Sequence, residues 1–226
     1  MPSVAFKEER TGLPGRATTV TCRLLDVVIA ALALILALPL LALLCVAIIL
    51  DSPGAPVFRQ RRLGQGRREF TLHKLRTMCT ACDEGAHRDY VRQLIAGEEQ
   101  THSRDDGRDL YKLAADDRVT RVGRFLRRTS LDELPQLVDV LRGHMSLVGP
   151  RPVIPYEAEL YPPEYEPRFA VKPGITGLWQ VNGRNERTYR EMVEMDVAWA
   201  ETSCVRGYLS ILARTPFVLL ARRGAA

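Results

Sequence analysis

The longest uniform pattern in the chain is an apolar run, Val27–Leu50, which contains no charged residue and is bracketed by Asp26 and Asp51. At about 1.5 Å per residue, a helix of this length measures roughly 36 Å, against about 30 Å for the hydrocarbon core of a bilayer. The run is longer than the apolar part of a signal peptide and begins well inside the chain, so we expect it to be retained. We therefore predict a membrane helix over residues 22–51.

Two features predict that this helix enters the membrane and returns. Pro39, at its midpoint, removes a backbone donor and crowds the preceding turn, so we expect the helix to break there. Basic residues flank the run on both sides, and the positive-inside rule assigns both flanks to the cytoplasm. They are Lys7, Arg10, Arg16 and Arg23 before it and Arg59, Arg61, Arg62, Arg67 and Arg68 after it. A single span kinked at the proline remains open on these grounds.

Two later stretches have the pattern of basic amphipathic helices. Residues 119–128 place apolar side chains along one helical face and arginines around the rest. Residues 208–223 are apolar with a basic end. Beside a membrane anchor, both patterns favour the membrane interface, although ordinary core-facing helices have the same pattern.

The remaining pattern predicts a compact, helix-rich mixed α/β domain over residues 52–204, between an N-terminal segment, 1–21, and a C-terminal interface helix, 205–226. Glycines within Leu63–Gly66 separate two extended runs, which predicts a short β-hairpin. The other expected elements are a helix over 79–100, a polar loop over 101–108, a helix over 132–141 that stops at Gly143, a proline-dense segment without regular helix over 148–169, and a helix over 186–200.

Charge and cysteine content narrow the classes of partner. The chain has 226 residues, and its 32 lysines and arginines outnumber 27 aspartates and glutamates, for a net charge of +5. An excess of arginine favours phosphate or carboxylate partners. The five cysteines are scattered and odd in number, which indicates a reducing compartment rather than a disulfide framework. Cys79 and Cys82 form a lone CxxC, which we interpret as two cysteines on a helix rather than a zinc site.

Asp132 and Glu133 stand out within the stretch RRTSLDELPQL, residues 127–137. Ser130 and Glu133 fit the S-x-x-E capping box, in which each side chain satisfies a backbone N–H at a helix start. A helix start would also keep the carboxylates of Asp132 and Glu133 ionised, as a nucleophile or metal ligand requires. The local pattern by itself favours the capping box.

Four motifs occur in order behind the apolar run: KLRTM (74–78), DDRVTRVGRFLRRTSLDELPQL (116–137), MSLVGPRP (145–152) and KPGITGLWQVNGRN (172–185). Together they resemble the bacterial sugar transferase family, the monotopic polyprenyl-phosphate phosphoglycosyl transferases, over most of the chain. The resemblance implies a re-entrant helix broken at a proline, which Pro39 matches. It also implies a mixed α/β domain on the cytoplasmic face of the bacterial inner membrane.

The resemblance implies an activity in which a sugar 1-phosphate passes from a nucleotide diphosphate sugar to undecaprenyl phosphate. It makes Asp132 the nucleophile of a covalent phosphosugar intermediate and gives Glu133 a supporting role with the lipid phosphate's proton or the metal. Mg²⁺ is the expected cofactor, held by Asp132 and Glu133. The substrate-binding residues that the resemblance suggests are Lys74, Arg76, Arg128, Arg151, Asn182 and Arg184.

The expected partners are the membrane, undecaprenyl phosphate and a UDP-hexose, without nucleic acid. UMP is the expected second product, and the lipid-linked sugar would start exopolysaccharide, capsule or O-antigen synthesis. Leu178 and Trp179 resemble members that transfer glucose or galactose phosphate. Two other functions stay open: a membrane-anchored basic adaptor that binds anionic lipid or nucleic acid, and a glycosyltransferase that releases a nucleoside diphosphate.

Overall fold

A computed structural model of the chain describes residues 15–79, 102–103, 109–110, 118–183 and 187–221. Within these ranges the protein is helix-rich and mixed α/β, as predicted, and a long apolar helix lies against a domain of short helices and two-stranded sheets. The helix predicted over 79–100 falls outside the described residues, apart from Cys79.

Helix α1, Arg16–Asp51, contains the whole apolar run. One face packs against the domain along the length of the helix, through Ala30 in the first half and Ile48 in the second. The opposite face is apolar and exposed; it includes Leu24, Val28, Leu32, Ile35, Leu36, Leu43, Val46 and Leu50. The helical backbone continues through Pro39, so the helix does not end at the predicted break. The reason is that a proline can bend a helix without ending it. Re-entry into a membrane stays a prediction.

Polar contacts attach both ends of α1 to the domain. Near the first end, Asp26 is 2% exposed and accepts hydrogen bonds from the Leu147 N–H and the Tyr208 hydroxyl, each at 2.7 Å. At the second end, the Asp51 carboxylate accepts a hydrogen bond from the Val122 N–H at 2.9 Å. The domain therefore contacts α1 on both sides of its apolar centre.

The predicted hairpin is confirmed. Strand β1, Val57–Leu63, pairs antiparallel with β2, Glu69–Leu75, in a register that sets Arg62 opposite Phe70. Alternate residues of a strand share a face, so Phe70 and Lys74 project from the same face of β2. Arg62 and Lys74 consequently lie on one face of the hairpin.

Two further strand pairs are short. Strand β3, His102–Ser103, pairs antiparallel with β4, Asp109–Leu110, so the polar loop predicted over 101–108 is wrong at its start. Strand β5, Ser146–Val148, pairs in parallel with β6, Gly174–Thr176. The β5–β6 pairing joins segments that are distant in the chain, which local polarity does not reveal.

The remaining helices are α2 (Arg121–Thr129), α3 (Gln136–Leu141), α4 (Pro155–Glu159), α5 (Leu178–Val181), α6 (Tyr189–Thr202) and α7 (Val205–Leu220). The predicted stop after α3 is confirmed, with Gly143 at φ +83°. Helix α6 confirms most of the helix predicted over 186–200. The exclusion of helix from 148–169 is wrong in part, because α4 begins at a proline, which suits the first helical position, and Pro163–Ala170 forms a 3₁₀ helix.

Helices α2 and α7 divide their apolar residues between the core and the surface. In α2, Leu126 is buried against α1, whereas Phe125 is 54% exposed. In α7, Tyr208 and Ile211 are buried, whereas Phe217 is 73% exposed. Each helix therefore has a core face and an exposed apolar residue, and contact with a membrane interface stays a prediction.

The apolar core has two clusters along α1. The larger contains buried residues of α1, the hairpin, α3, β5, α6 and α7; they include Ala30, Phe70, Leu72, Val140, Met145, Leu147, Trp199 and Tyr208. The smaller joins the second half of α1 to β2 and α2 through Leu44, Ile48, Leu75 and Leu126. The acid pair directly follows α2, so the smaller cluster sets its position relative to β2.

Candidate active site

Asp132 and Glu133 lie in a single 3₁₀ turn, Leu131–Glu133, between α2 and α3. The preceding Ser130 ends α2 in the left-handed conformation, φ +58°, and its side chain makes no capping hydrogen bond. Helix α3 begins only at Gln136. The predicted capping box is therefore wrong, because the S-x-x-E pattern spans a junction between two helices rather than one helix start.

Lys74 reaches the acid pair from β2. Its Nζ lies 2.9 Å from Glu133 Oε1 and 4.0 Å from Asp132 Oδ2. The next residue, Leu75, is 2% exposed and anchors the end of the strand in the smaller core cluster. The structure thus brings Lys74 together with the two acids, and its predicted role in substrate binding stays a prediction.

Arg127, which the sequence analysis did not single out, adds a second positive charge near Asp132. Its Nε donates a hydrogen bond to Thr77 Oγ1 at 2.9 Å. This contact requires a close approach of α2 to the segment after β2, where a Cβ on Gly123 would lie 2.1 Å from the Thr77 carbonyl oxygen. Only glycine fits there, so the approach that orients Arg127 depends on Gly123.

Burial dominates the electrostatics of Asp132, which is 9% exposed. Desolvation raises the pKa of its carboxyl above the usual 3.8, and the positive charge of Lys74 opposes this shift. The Glu133 carboxylate raises the same pKa further, whereas Arg127 lowers it. Lys74 and Arg127, rather than the predicted helix terminus, supply the charge that favours the ionised carboxylate.

A buried contact between His73 and Asp139 holds β2 against α3. Asp139 is fully buried, and its carboxylate accepts a hydrogen bond from the His73 N–H at 3.0 Å and lies 2.7 Å from His73 Nδ1. His73 directly precedes Lys74, and α3 directly follows the turn that carries the acids. The contact therefore fixes the two elements that supply the site.

Two of the predicted phosphate-binding arginines have other surroundings. Arg76 is 6% exposed, and its guanidinium donates hydrogen bonds to the Pro53 carbonyl oxygen at 2.9 Å and to the Ser52 carbonyl oxygen. These carbonyls follow the end of α1, where acceptors lack helical partners, so Arg76 caps α1. Its predicted role in substrate binding stays a prediction. Arg128 is exposed at the end of α2 and makes no hydrogen bond to another described residue.

Arg151 is the exposed residue in an otherwise buried segment, Met145–Ile154. The loop that carries it is anchored to β6, because the Gly174 N–H donates a hydrogen bond to the Pro150 carbonyl oxygen at 2.8 Å. Prolines on both sides of Arg151 restrict the backbone further. The Pro-Arg-Pro loop therefore presents a single arginine side chain to solvent.

Arg62 connects this loop to the hairpin that carries Lys74. It is 8% exposed, and its guanidinium donates hydrogen bonds to the Pro152 carbonyl oxygen at 3.0 Å and to Gln60 Oε1 at 2.7 Å. Burial, together with the positive charge of Arg151, lowers the pKa of Arg62 to about 10, so it stays cationic at neutral pH. Sequence reasoning counted Arg62 only among the flanking basic residues, since its contact with the loop is a tertiary one.

The side chain of Asn182, from the QVNGRN motif, contacts helices α5 and α7 instead of the acid pair. Its Nδ2 donates a hydrogen bond to the Leu178 carbonyl oxygen at 2.8 Å, and its Oδ1 accepts one from Arg214 at 2.9 Å. Asn182 therefore joins α5 to α7. Arg184 lies outside the described residues, and the predicted substrate-binding role of both residues stays a prediction.

Among the residues that the structure describes, no group of three or more His, Cys, Asp or Glu side chains could hold a metal ion. Asp132 and Glu133 are adjacent hard oxygen donors, and Mg²⁺ commonly takes one or two protein carboxylates and completes its shell with phosphate oxygens and water. The acid pair fits Mg²⁺ in that form. The CxxC motif extends past Cys79 beyond the described residues.

Comparison with known proteins points to one family for nearly the whole chain. The family model described as bacterial sugar transferase matches residues 17–222. The chain is 41% identical over 235 positions to the UDP-glucose:undecaprenyl-phosphate glucose-1-phosphate transferase of Caulobacter vibrioides, which covers 99% of this chain and 79% of that protein.

Two other relatives differ in how much of their length the chain matches. The exopolysaccharide production protein ExoY of Sinorhizobium fredii is 38% identical over 218 positions, which is 96% of this chain and 93% of ExoY. The undecaprenyl-phosphate galactose phosphotransferase of Salmonella typhimurium is 37% identical over 216 positions, which is 96% of this chain but 44% of that protein. The chain thus spans less than half of the Salmonella typhimurium protein.

Proposed function

The chain belongs to the bacterial sugar transferase family, and from that membership we propose that it transfers a hexose 1-phosphate from a UDP-sugar to undecaprenyl phosphate and releases UMP. Relatives that cover nearly the whole chain are named for this class of reaction. One observation carries the proposal to particular residues: Lys74, from a separate strand, lies against Asp132 and Glu133, and Asp132 is buried. A pair of acids that only capped a helix would need no such cation.

In the first proposed step, a carboxylate oxygen of Asp132 attacks the sugar-bearing phosphorus of the UDP-sugar. A bond forms between this oxygen and the phosphorus, the bond from the phosphorus to the bridging oxygen breaks, and UMP leaves with the electron pair. The attack brings an anion to an anionic diphosphate, so positive charge must lie close by. Lys74 and Arg127 supply that charge beside Asp132, and Arg151 is the candidate for binding the diphosphate.

In the second proposed step, an oxygen of undecaprenyl phosphate attacks the same phosphorus and the Asp132 carboxylate leaves. Glu133 accepts the proton of the lipid phosphate when that phosphate is protonated, and Lys74 holds the Glu133 carboxylate in place. When bound by Asp132 and Glu133, Mg²⁺ would neutralise charge between the carboxylates and the phosphate oxygens. The product, a diphosphate-linked hexose on the lipid, is the starting material for exopolysaccharide or capsule synthesis.

We also propose that both ends of α1 face the cytoplasm. Asp26 near one end and Asp51 at the other accept hydrogen bonds from the same folded domain, which occupies one side of a membrane. The exposed apolar face of α1 supplies the surface that enters the bilayer. This arrangement keeps the acid pair near the headgroups, where a lipid phosphate reaches it while its hydrocarbon tail stays in the membrane.

The experiment uses the full chain in nanodiscs with undecaprenyl phosphate, Mg²⁺ and a panel of UDP-sugars that begins with UDP-glucose and UDP-galactose. We expect UMP release and one labelled lipid product, and Asp132→Asn should abolish both. The control is Glu69→Gln. Glu69 is the first residue of β2, and its side chain is 54% exposed. Release of UDP instead of UMP would identify a glycosyltransferase, and salt-sensitive lipid binding without release would identify an adaptor.

A further inference from the structure

A buried ion pair lies behind the Pro-Arg-Pro loop and takes no part in the proposed chemical steps. Arg168 and Asp196 are 2.5 Å apart through a guanidinium nitrogen and Asp196 Oδ2, and their side chains are 4% and 2% exposed. Arg168 belongs to the 3₁₀ segment Pro163–Ala170 and Asp196 to α6. Arg168 also donates a hydrogen bond to the Tyr161 hydroxyl at 2.7 Å.

Both members of this pair bind the backbone of Arg151. The Arg151 N–H donates a hydrogen bond to Asp196 Oδ2 at 3.2 Å, and the Arg151 carbonyl oxygen accepts one from Arg168 at 3.1 Å. The next carbonyl along, that of Pro152, accepts from Arg62 at 3.0 Å. The two backbone polar groups of one exposed arginine are therefore bonded to one buried ion pair.

A role in stability alone explains this arrangement poorly. Taking two charges out of water is costly, and well-packed apolar side chains of similar volume often stabilise a fold equally well. An ion pair does what an apolar pair cannot, because it fixes an N–H and a carbonyl at the same time. A backbone that is already fixed loses less entropy and needs less rearrangement when the side chain it carries binds an anion.

Arg168 and Asp196 carry opposite charges, so the pair does not neutralise the positive charge of the Arg151 side chain. Burial raises the pKa of Asp196 to about 6, against the opposing effects of Arg168 and Arg151, so Asp196 is ionised at neutral pH. Burial disfavours the charged guanidinium of Arg168, yet the Asp196 carboxylate raises its pKa. Because the buried pair is neutral as a unit, it does not cancel the charge of Arg151.

We propose that Arg168 and Asp196 are positioning residues that hold Arg151 in place to bind the diphosphate of the nucleotide sugar, an inference that rests on the proposed function. Neither residue contacts the acid pair or any reacting atom. Their effect on the reaction passes through the backbone of Arg151, and this route predicts a specific pattern of coupling between substitutions.

The test is a double-mutant cycle on kcat/KM for UMP release from UDP-glucose, with Arg151→Ala, Asp196→Asn and the double variant. We expect Arg151→Ala to lower kcat/KM about 10²-fold and Asp196→Asn to lower it about 10-fold. The double variant should fall no further than about 10²-fold, because Asp196 has nothing left to position once the Arg151 side chain is gone. A loss of about 10³-fold, the product of independent effects, would overturn the proposal.

The control removes a carboxylate from the same helix. Glu194→Gln breaks the exposed pair between Glu194 and Arg190, two residues from Asp196, and should leave kcat/KM unchanged. If Asp196→Asn does not fold, as judged by gel filtration and thermal unfolding, Arg168→Lys replaces it in the cycle. Lysine keeps the charge but lacks the planar two-nitrogen fork, in which Nη2 bonds Asp196 and the Arg151 carbonyl while Nη1 bonds the Tyr161 hydroxyl.

Failure to fold in both variants would assign the pair to stability and overturn the inference. If the wild-type protein is active but the effects of Arg151→Ala and Asp196→Asn are independent, the inference is overturned and the proposed function is not. Absence of UMP release from the wild-type protein with every UDP-sugar refutes the proposed function itself, so the two failures are distinguishable.

Discussion

The amino group of Lys74 lies 2.9 Å from the Glu133 carboxylate, across 59 residues of sequence. Lys74 reaches this position from the end of β2, and Glu133 reaches it from the turn after α2. The contact places a cation beside two adjacent acids, of which Asp132 is the more buried. This contact between a strand and a turn supports the proposed chemical role of the acid pair, because a helix cap does not require it.

Substitution of Lys74 by glutamine should lower kcat/KM for UMP release about 10²-fold, because the positive charge beside the attacking carboxylate is lost. Glutamine is shorter by one atom but still donates a hydrogen bond, so the strand should keep its place. Initial rates with UDP-glucose measure the effect. Arg61→Gln is the control, since Arg61 is exposed in the same hairpin and its pair with Glu69 is long, at 3.7 Å. Equal losses in the two variants would contradict a specific role for Lys74.

Substitution of Arg76 by methionine should destabilise the fold by about 2 kcal/mol, because the carbonyls after α1 lose a charged donor in a buried setting. Thermal unfolding in nanodiscs measures the loss, and KM for the UDP-sugar below the unfolding midpoint should not change. Arg59→Met, an exposed change in the same hairpin, should leave the midpoint unchanged. A higher KM with an unchanged midpoint would instead assign Arg76 to the substrate site.

A peptide tag fused ahead of Met1 should stay hidden from a membrane-impermeant reagent in intact spheroplasts and become accessible after lysis. The reason is that contacts of Asp26 and Asp51 hold both ends of α1 to one domain. A tag fused after Ala226 is the control and should behave in the same way. Labelling of the first tag alone in intact spheroplasts would establish a single span.

The stability difference between the wild-type protein and Asp196→Asn should fall as pH rises from about 4 to about 6. Burial raises the pKa of Asp196 in the fold to about 6, above its usual 3.8, while Arg168 and Arg151 oppose the shift and the Tyr161 hydroxyl lies nearby. In that range the folded protein binds a proton that the unfolded chain has released, so rising pH favours unfolding.

The expected slope of this difference is up to about 1.4 kcal/mol per pH unit. Unfolding midpoints of both proteins at pH 4, 5, 6 and 7 measure it. Asparagine does not titrate, so only the wild-type protein has the contribution of Asp196. The contributions of the other titratable groups are common to both proteins and cancel in the stability difference. Parallel curves across the range would mean that Asp196 keeps an ordinary pKa in the fold.

Local patterns were sufficient where the cause of an element is local. The apolar run predicts α1 because its length and composition need no partner, and the glycines between two extended runs predict the β1–β2 hairpin. Gly143 predicts the end of α3 because a left-handed residue stops a helix wherever it occurs. The acid pair, by contrast, was identified through a resemblance and not through its local pattern, which favoured a cap.

The sequence by itself determined an apolar helix, a hairpin, a basic domain and a pair of adjacent acids, since each follows from residues close together in the chain. Only the tertiary structure decided which cation meets which acceptor. Lys74 and Arg76 are two residues apart and both are cationic, yet one lies on the acid pair and the other caps α1. The partner of a long cationic side chain depends on how distant elements pack, and packing is a property of the whole core rather than of any short stretch.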